Sequence, residues 1–118
     1  MDFAVIREGI VELSRRFAAE RPSRQARTAL DPEDFAALRS AGFTQVAVPI
    51  EQGGAFSDQS RSVQPLCEIL RLLGRGDPSV ALVCAMHPAV LSHWHHGLEV
   101  PAEQQAAWRV QREDFFEH

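Results

Sequence analysis

Asp77-Pro-Ser-Val-Ala-Leu-Val-Cys-Ala-Met86 is the stretch on which the reading of this chain turns. Asp77 is a natural N-cap, and Pro78 fits the first helical position, where its missing N–H costs nothing. Val80 to Met86 then supplies seven apolar residues in succession, with no polar face over two turns. A helix that is apolar all round is normally buried all round. This one is therefore expected to be the most buried helix, running to about His96 and closed by Gly97. Inside it, Pro88 removes the N–H that would bond the carbonyl of Cys84, which predicts a kink beside His87.

Outward from this segment, the same logic finds four more helices. Phe3, Ile6, Ile10, Leu13 and Phe17 recur at steps of three and four and line one face of a helix over Phe3 to Glu20. Asp31-Pro32 repeats the cap-and-proline signal. Glu33 and Asp34 add negative charge at the positive end of the dipole, Leu30 and Phe35 have the spacing of a hydrophobic staple, and Gly42 can end the helix in the left-handed conformation. Phe43 to Pro49 reads as a short extended stretch. Glu51-Gln-Gly53-Gly54 reads as a loop whose glycines allow positive φ or close backbone approach. A helix over about Ser60 to Leu73 carries Val63, Leu66, Leu70 and Leu73 as its stripe, with Ile69 beside it. Pro65 lies in its first turn or kinks it, and Gly74 and Gly76 end it. A last helix over about Ala102 to Phe116 turns Ala106, Val110 and Phe115 inward. The expected fold is all-α, with about five helices in a single domain over 1–118.

Composition narrows the function classes. The 118 residues are 45% hydrophobic and 24% charged, enough apolar mass for one core. A net charge of −4 argues against nucleic acid as a partner. No apolar run reaches the ~18 residues of a membrane span. Asp2, Arg7 and Glu8 make the N-terminus unlike a signal peptide, so the expected location is cytoplasmic. Cys67 and Cys84 are too few for a disulfide framework and are read as buried, reduced thiols.

Candidate chemistry is sparse. Arg15, Arg16, Arg21, Arg24 and Arg27 form a basic cluster, with Arg21 to Ala29 as an exposed linker. The cluster could hold a phosphate, but a solvated helix end is the ordinary reading. Histidines concentrate at His87, His93, His95 and His96. Cys84, His87 and Glu99 could be drawn as zinc ligands, yet a polar helix end accounts for the pattern and no metal is expected. Ser57, Ser60, Ser62, Ser79 and Ser92 read as caps and loop residues, and no nucleophile–base pair is visible, so no catalytic residue is assigned. His87 has two readings. It is a core histidine with a backbone partner, or it reaches a pocket as hydrogen-bond donor or general acid, with Met86, Leu91 and Trp94 supplying apolar surface.

The order of the motifs adds a resemblance. Leu30-Asp-Pro-Glu-Asp-Phe-Ala-Ala-Leu-Arg-Ser-Ala-Gly-Phe43, Val48-Pro-Ile-Glu-Gln-Gly-Gly54, Leu66 to Ala81, Met86-His87 and Gly97-x-x-x-Pro-x-x-Gln104 follow one another as in the acyl-CoA dehydrogenase family. The chain resembles that family's N-terminal helical domain from about Phe3 to Phe116. The resemblance implies an FAD-dependent oxidoreductase whose flavin-binding β-domain and C-terminal four-helix domain, with the catalytic Glu, lie outside this chain. It also implies a homo-oligomer, usually a tetramer, and an acyl-CoA or other apolar or aromatic substrate. Met86, His87, Val90, Leu91 and Trp94 would border the substrate pocket. The four histidines fit better with the flavin-dependent monooxygenase branch of the dibenzothiophene and hydroxyphenylacetate hydroxylases, where FMN replaces FAD as the expected cofactor. A stand-alone, non-catalytic helical interaction module is the reading from a different class.

Overall fold

Ile6, Ile10, Leu13 and Phe17 lie, as their spacing predicts, on one buried face of α1 (Phe3–Ala19) in the computed structural model. The structure describes residues 2–96 and 101–117, with side chains described for all of these except 59, 93–96 and 115–117. Asp2 caps α1 by accepting a hydrogen bond from the Ala4 N–H. The buried face meets α4 (Gln59–Gly76), where Ile69 and Leu73 are fully buried. The Ser14 hydroxyl ties the pair further by donating to the Leu72 carbonyl. Leu38, Phe43, Val46, Val80 and Cys84 complete this main core.

The fold is all-α. Among the described residues there are seven α-helices and three short 3₁₀ turns, and an isolated bridge between Pro49 and Phe56 is the one strand-like pairing. Two additions to the five expected helices have simple causes. The segment read as an exposed linker contains α2 (Arg21–Ala26), because Pro22 falls where a helix start needs no N–H and so opens the helix. The long apolar helix divides at Ala85 into α5 (Pro78–Cys84) and α6 (Met86–His96). Pro88 has no N–H to offer the Cys84 carbonyl, and the expected kink becomes a break.

The cap signals hold. Asp31 accepts from the Glu33 N–H at the start of α3 (Pro32–Ser40), and Gly42 follows α3 at φ 87°. The stretch expected to be extended is not. Phe43–Gln45 is a 3₁₀ turn, and Val46, Ala47 and Val48 after it are all buried. With no partner strand, successive tight turns satisfy the backbone N–H groups locally: Val46 donates to Phe43 and Val48 to Gln45. In the loop that follows, the two glycines serve different ends. Gly53 has φ 86°, and a Cβ on Gly54 would sit 1.7 Å from the Val48 carbonyl oxygen.

Three helix faces differ from expectation. In α4 the buried line runs through Ser62, Ile69 and Leu73, while Val63 is 54% exposed; the helix also continues through Gly74 to Gly76. In α7 (Gln105–Glu117) Ala106 and Val110 face out, and the large Trp108 packs instead on a second cluster of Ala47, Val48 and Leu91. The side chain of Phe115 lies outside the described residues. α5 is not buried all round. Val80, Ala81 and Cys84 enter the core, but Leu82 is 73% and Val83 45% exposed, because the core covers only one side of the helix. No helix among the described residues is long and apolar enough to cross a membrane.

Candidate functional site

The basic cluster divides: Arg15, Arg16 and Arg21 are exposed, as the solvated reading expects, while Arg24 and Arg27 turn onto buried carboxylates. Pro22 starts α2 so that Arg24, one turn in, lies back over Phe17, its guanidinium carbon 3.7 Å from the ring centroid. Its Nη2 and Nη1 donate to the two Asp34 carboxylate oxygens at 2.7 and 2.8 Å, Nη1 also reaches Asp77 at 3.1 Å, and Nε donates to Glu20 at 3.0 Å. Arg27 adds Nη2 contacts to Asp34 at 3.1 Å and Asp77 at 3.4 Å. The side chains of Arg24, Asp34 and Asp77 are 7%, 5% and 9% exposed. The other Asp77 oxygen meanwhile caps α5 by accepting from the Ser79 and Val80 N–H groups.

Electrostatics follow from this geometry. The fork-on-fork hydrogen bonds from Arg24 hold Asp34 below the ordinary carboxylate range, and burial only partly opposes them. Burial alone would push Asp77 up, but the Val80 N–H, Arg24 and the Ser79 N–H together pull it down. The Asp34 hydrogen bonds raise Arg24 further above its already high value. Sequence reading placed Asp34 and Asp77 only at helix starts. One signal was available: Asp31 already caps α3, which leaves Asp34 a spare carboxylate, and an Arg-only cluster invites bidentate partners. A groove of about 340 Å³ runs past Arg24 and Arg27. Both guanidiniums are already committed to carboxylates, so these residues do not fit the diphosphate of a flavin.

The second hollow holds about 230 Å³ and lies between α3 and the α5–α6 corner. Buried Leu38, Phe43 and Cys84 form its inner lining, half-buried Phe35, Thr44 and His87 its sides, and Arg39 and Val83 its exposed edge. The Nε2 of His87 lies 3.2 Å from the Thr44 carbonyl oxygen. A carbonyl only accepts, so Nε2 carries the proton there and donates. In the neutral ring Nδ1 is then an acceptor; His87 becomes a second donor only as imidazolium. Its ring centroid is 6.2 Å from that of Phe43.

The other expected pocket residues do not gather round His87. Met86 is 65% and Val90 39% exposed, on the outside of the helix. Leu91 is fully buried, but among Ala47, Val48 and Trp108, so it is core. The Trp94 side chain lies outside the described residues, as do those of His93, His95, His96 and Glu99. One step of ~100° turns Met86 away from the groove that His87 lines. Cys84 is buried, and burial pushes its thiol up to about 11. Cys67 is exposed, contrary to expectation, because it sits beside the α4 line of Ser62, Ile69 and Leu73 rather than on it. Among the described residues no three His, Cys, Asp or Glu side chains come together as a metal site.

No protein-family model, curated protein or solved structure matches this chain.

Proposed function

We propose that this chain is the N-terminal helical domain of an acyl-CoA dehydrogenase-like flavoprotein oxidoreductase, contributing one wall of a substrate pocket and contacts between subunits. The observation that carries the reading is the uncovered apolar ridge of Leu82, Val83, Met86 and Val90 along the α5–α6 limb. Leu82 and Val83 lie on α5 and Met86 and Val90 on α6, and large exposed apolar side chains gathered on one limb are the kind of surface that another element covers. The radius of gyration, 15.6 Å, exceeds the ~13–14 Å of a compact chain of this length, as suits a domain that packs against others. The ordered motifs from Leu30 to Gln104 supply the family, and with it the expectations of FAD, an acyl-CoA or other apolar substrate, and a tetramer.

On this reading the chain's own part is to shape and dry a pocket wall, while segments outside it hold the flavin and the catalytic base. The committed arginines agree with that division. The monooxygenase branch, with FMN, is the second reading. It is favoured by His87 lying beside an open groove rather than inside a closed core.

The intact mass of the polypeptide made from its native gene, together with its visible absorption spectrum, tests the proposal. A polypeptide that extends past His118 and purifies yellow with bound flavin supports it. A native polypeptide that ends at His118 and carries no flavin, alone or in its native complex, overturns it and leaves the interaction module. FAD titrated into the 118-residue chain alone is expected to give no saturable micromolar fluorescence change.

A further inference from the structure

We infer that the groove between α3 and the α5–α6 corner binds a small organic acid with a flat apolar body, whose carboxylate pairs with Arg39. This is the groove beside His87, and it consists wholly of this chain's residues, so binding to it can be read without flavin.

Three observations carry it. The first is size. At about 230 Å³ the hollow is smaller than the ~300–1,000 Å³ of drug-sized sites, which suits an occupant of about ten non-hydrogen atoms. The second is the lining. Phe35 and Phe43 offer aromatic surface, and Leu38 and the neutral Cys84 thiol close the inner end without charge. The third is the Arg39 guanidinium, which makes no ion pair or hydrogen bond with a described residue, as several exposed arginines of this chain do not, but which alone among them lines this groove. Arg39 and Phe35 also line a neighbouring hollow along α3, so the guanidinium stands between two recesses. The Thr44 hydroxyl, likewise without a hydrogen-bond partner among the described residues, borders the same groove as Arg39.

The charge count selects the acid. Arg39 is the one permanently cationic side chain of the lining. One guanidinium with one hydroxyl suits a monoanion presenting two oxygens in a plane, the geometry of a carboxylate. A phosphate dianion would leave charge uncompensated beside Leu38 and Phe43. The apolar body then lies toward Phe35 and Phe43.

Phenylacetate is the probe, titrated into the isotope-labelled chain and followed by amide chemical shifts. The expected result is saturable movement confined to residues around Phe35, Arg39, Thr44 and His87. Arg39→Gln should weaken binding about five- to tenfold, the range between an exposed ion pair and a charge-assisted bidentate one. Benzyl alcohol, which keeps the ring and loses the charge, should bind the wild-type chain as weakly as the variant binds the acid. Val83→Trp, a change at an exposed edge position, should fill the mouth and abolish the shifts while leaving the helical circular dichroism unchanged. A wild-type dissociation constant weaker than ~10 mM overturns the inference. Equal affinity of the wild-type and Arg39→Gln chains, or unchanged binding to Val83→Trp, overturns it too. No flavin is needed, so a negative result leaves the flavoprotein reading standing, and a native polypeptide without flavin leaves this one standing.

Discussion

α1 and the α5–α6 limb are both rich in apolar residues, and they fare differently. α1 keeps most of its apolar residues on one face, with Val5 the exposed exception, and that face is sealed: Ile6, Ile10 and Phe17 are fully buried against α4. α5 has no polar face, and half of it stays in solvent, with Leu82 73% exposed. The periodic helix specifies its own orientation, because only one rotation buries the stripe. The uniform helix does not; Val80, Ala81 and Cys84 go in because α4 and the turn after Gly42 present a surface there. Apolar sequence states a demand for burial. Whether the chain meets that demand depends on how much surface its other helices can offer.

The sealed end depends on charge as well as on packing, and its removal should have the largest effect. Arg24→Ala would strip the guanidinium from Asp34 and Asp77 and uncover Phe17, leaving two buried carboxylates with Arg27 alone. Breaking a buried pair from one side costs about 3–5 kcal/mol. Urea unfolding should show a loss of that order, with only partial recovery in Arg24→Lys, since an ammonium cannot fork onto Asp34. A loss below about 1 kcal/mol would mean that water, not geometry, holds this cluster.

Next in size is the packing within α1. Ile10→Ala opens a cavity in the sealed face and should cost about 2–5 kcal/mol, read from the same denaturation midpoint. A smaller loss would show that α4 collapses onto the gap, and would weaken the contrast between the two regions.

Those two positions also mark what the sequence could and could not tell. Ile10 was legible, because its neighbours at three- and four-residue steps are local. So were Asp31-Pro32, Asp77-Pro78, Gly42 and the Gly53-Gly54 loop, each of which acts within a few residues of itself. Arg24 was not. Its partner Asp77 lies 53 residues away, and an arginine among arginines after a proline has the local pattern of a solvated linker. Leu91 failed for a related reason. Its apolar neighbours in sequence, Met86 and Val90, face outward, and its actual neighbours, Ala47, Val48 and Trp108, come from segments whose spacing carries no common period. His87 was legible as a residue beside a break, and its Thr44 partner was not, because a backbone carbonyl 43 residues away leaves no mark in the sequence.

Acid should separate the two regions without mutation. Asp34 and Asp77 sit below their unfolded value of ~3.9, so the unfolded chain takes up protons first. The stability they contribute is therefore fully present above that value and is lost as pH falls, starting near pH ~5 and continuing toward their lowered folded values. Denaturation midpoints measured downward from neutral pH should decline over this window, and the decline should flatten in Arg24→Ala, where the carboxylates have lost their main partner. An equally steep decline in the variant would assign the acid sensitivity to other carboxylates and remove the cluster from the comparison.

The smallest expected effect is the most informative about the uncovered face. Leu82→Ser replaces a large apolar side chain with a small polar one on the outside of α5. If solvent is all that Leu82 meets, the substitution should change the stability of the 118-residue chain by no more than about 0.5 kcal/mol, as surface changes generally do. The same substitution in an assembly that covers the ridge would remove buried apolar surface and lose about 1.5–3 kcal/mol of association. Light scattering on the chain and on the native polypeptide, each with and without Leu82→Ser, reads the difference. A stability loss of several kcal/mol in the chain alone would mean that α5 is already covered from within. The ridge would then be core after all, and the proposed contact with further domains would lose its surface.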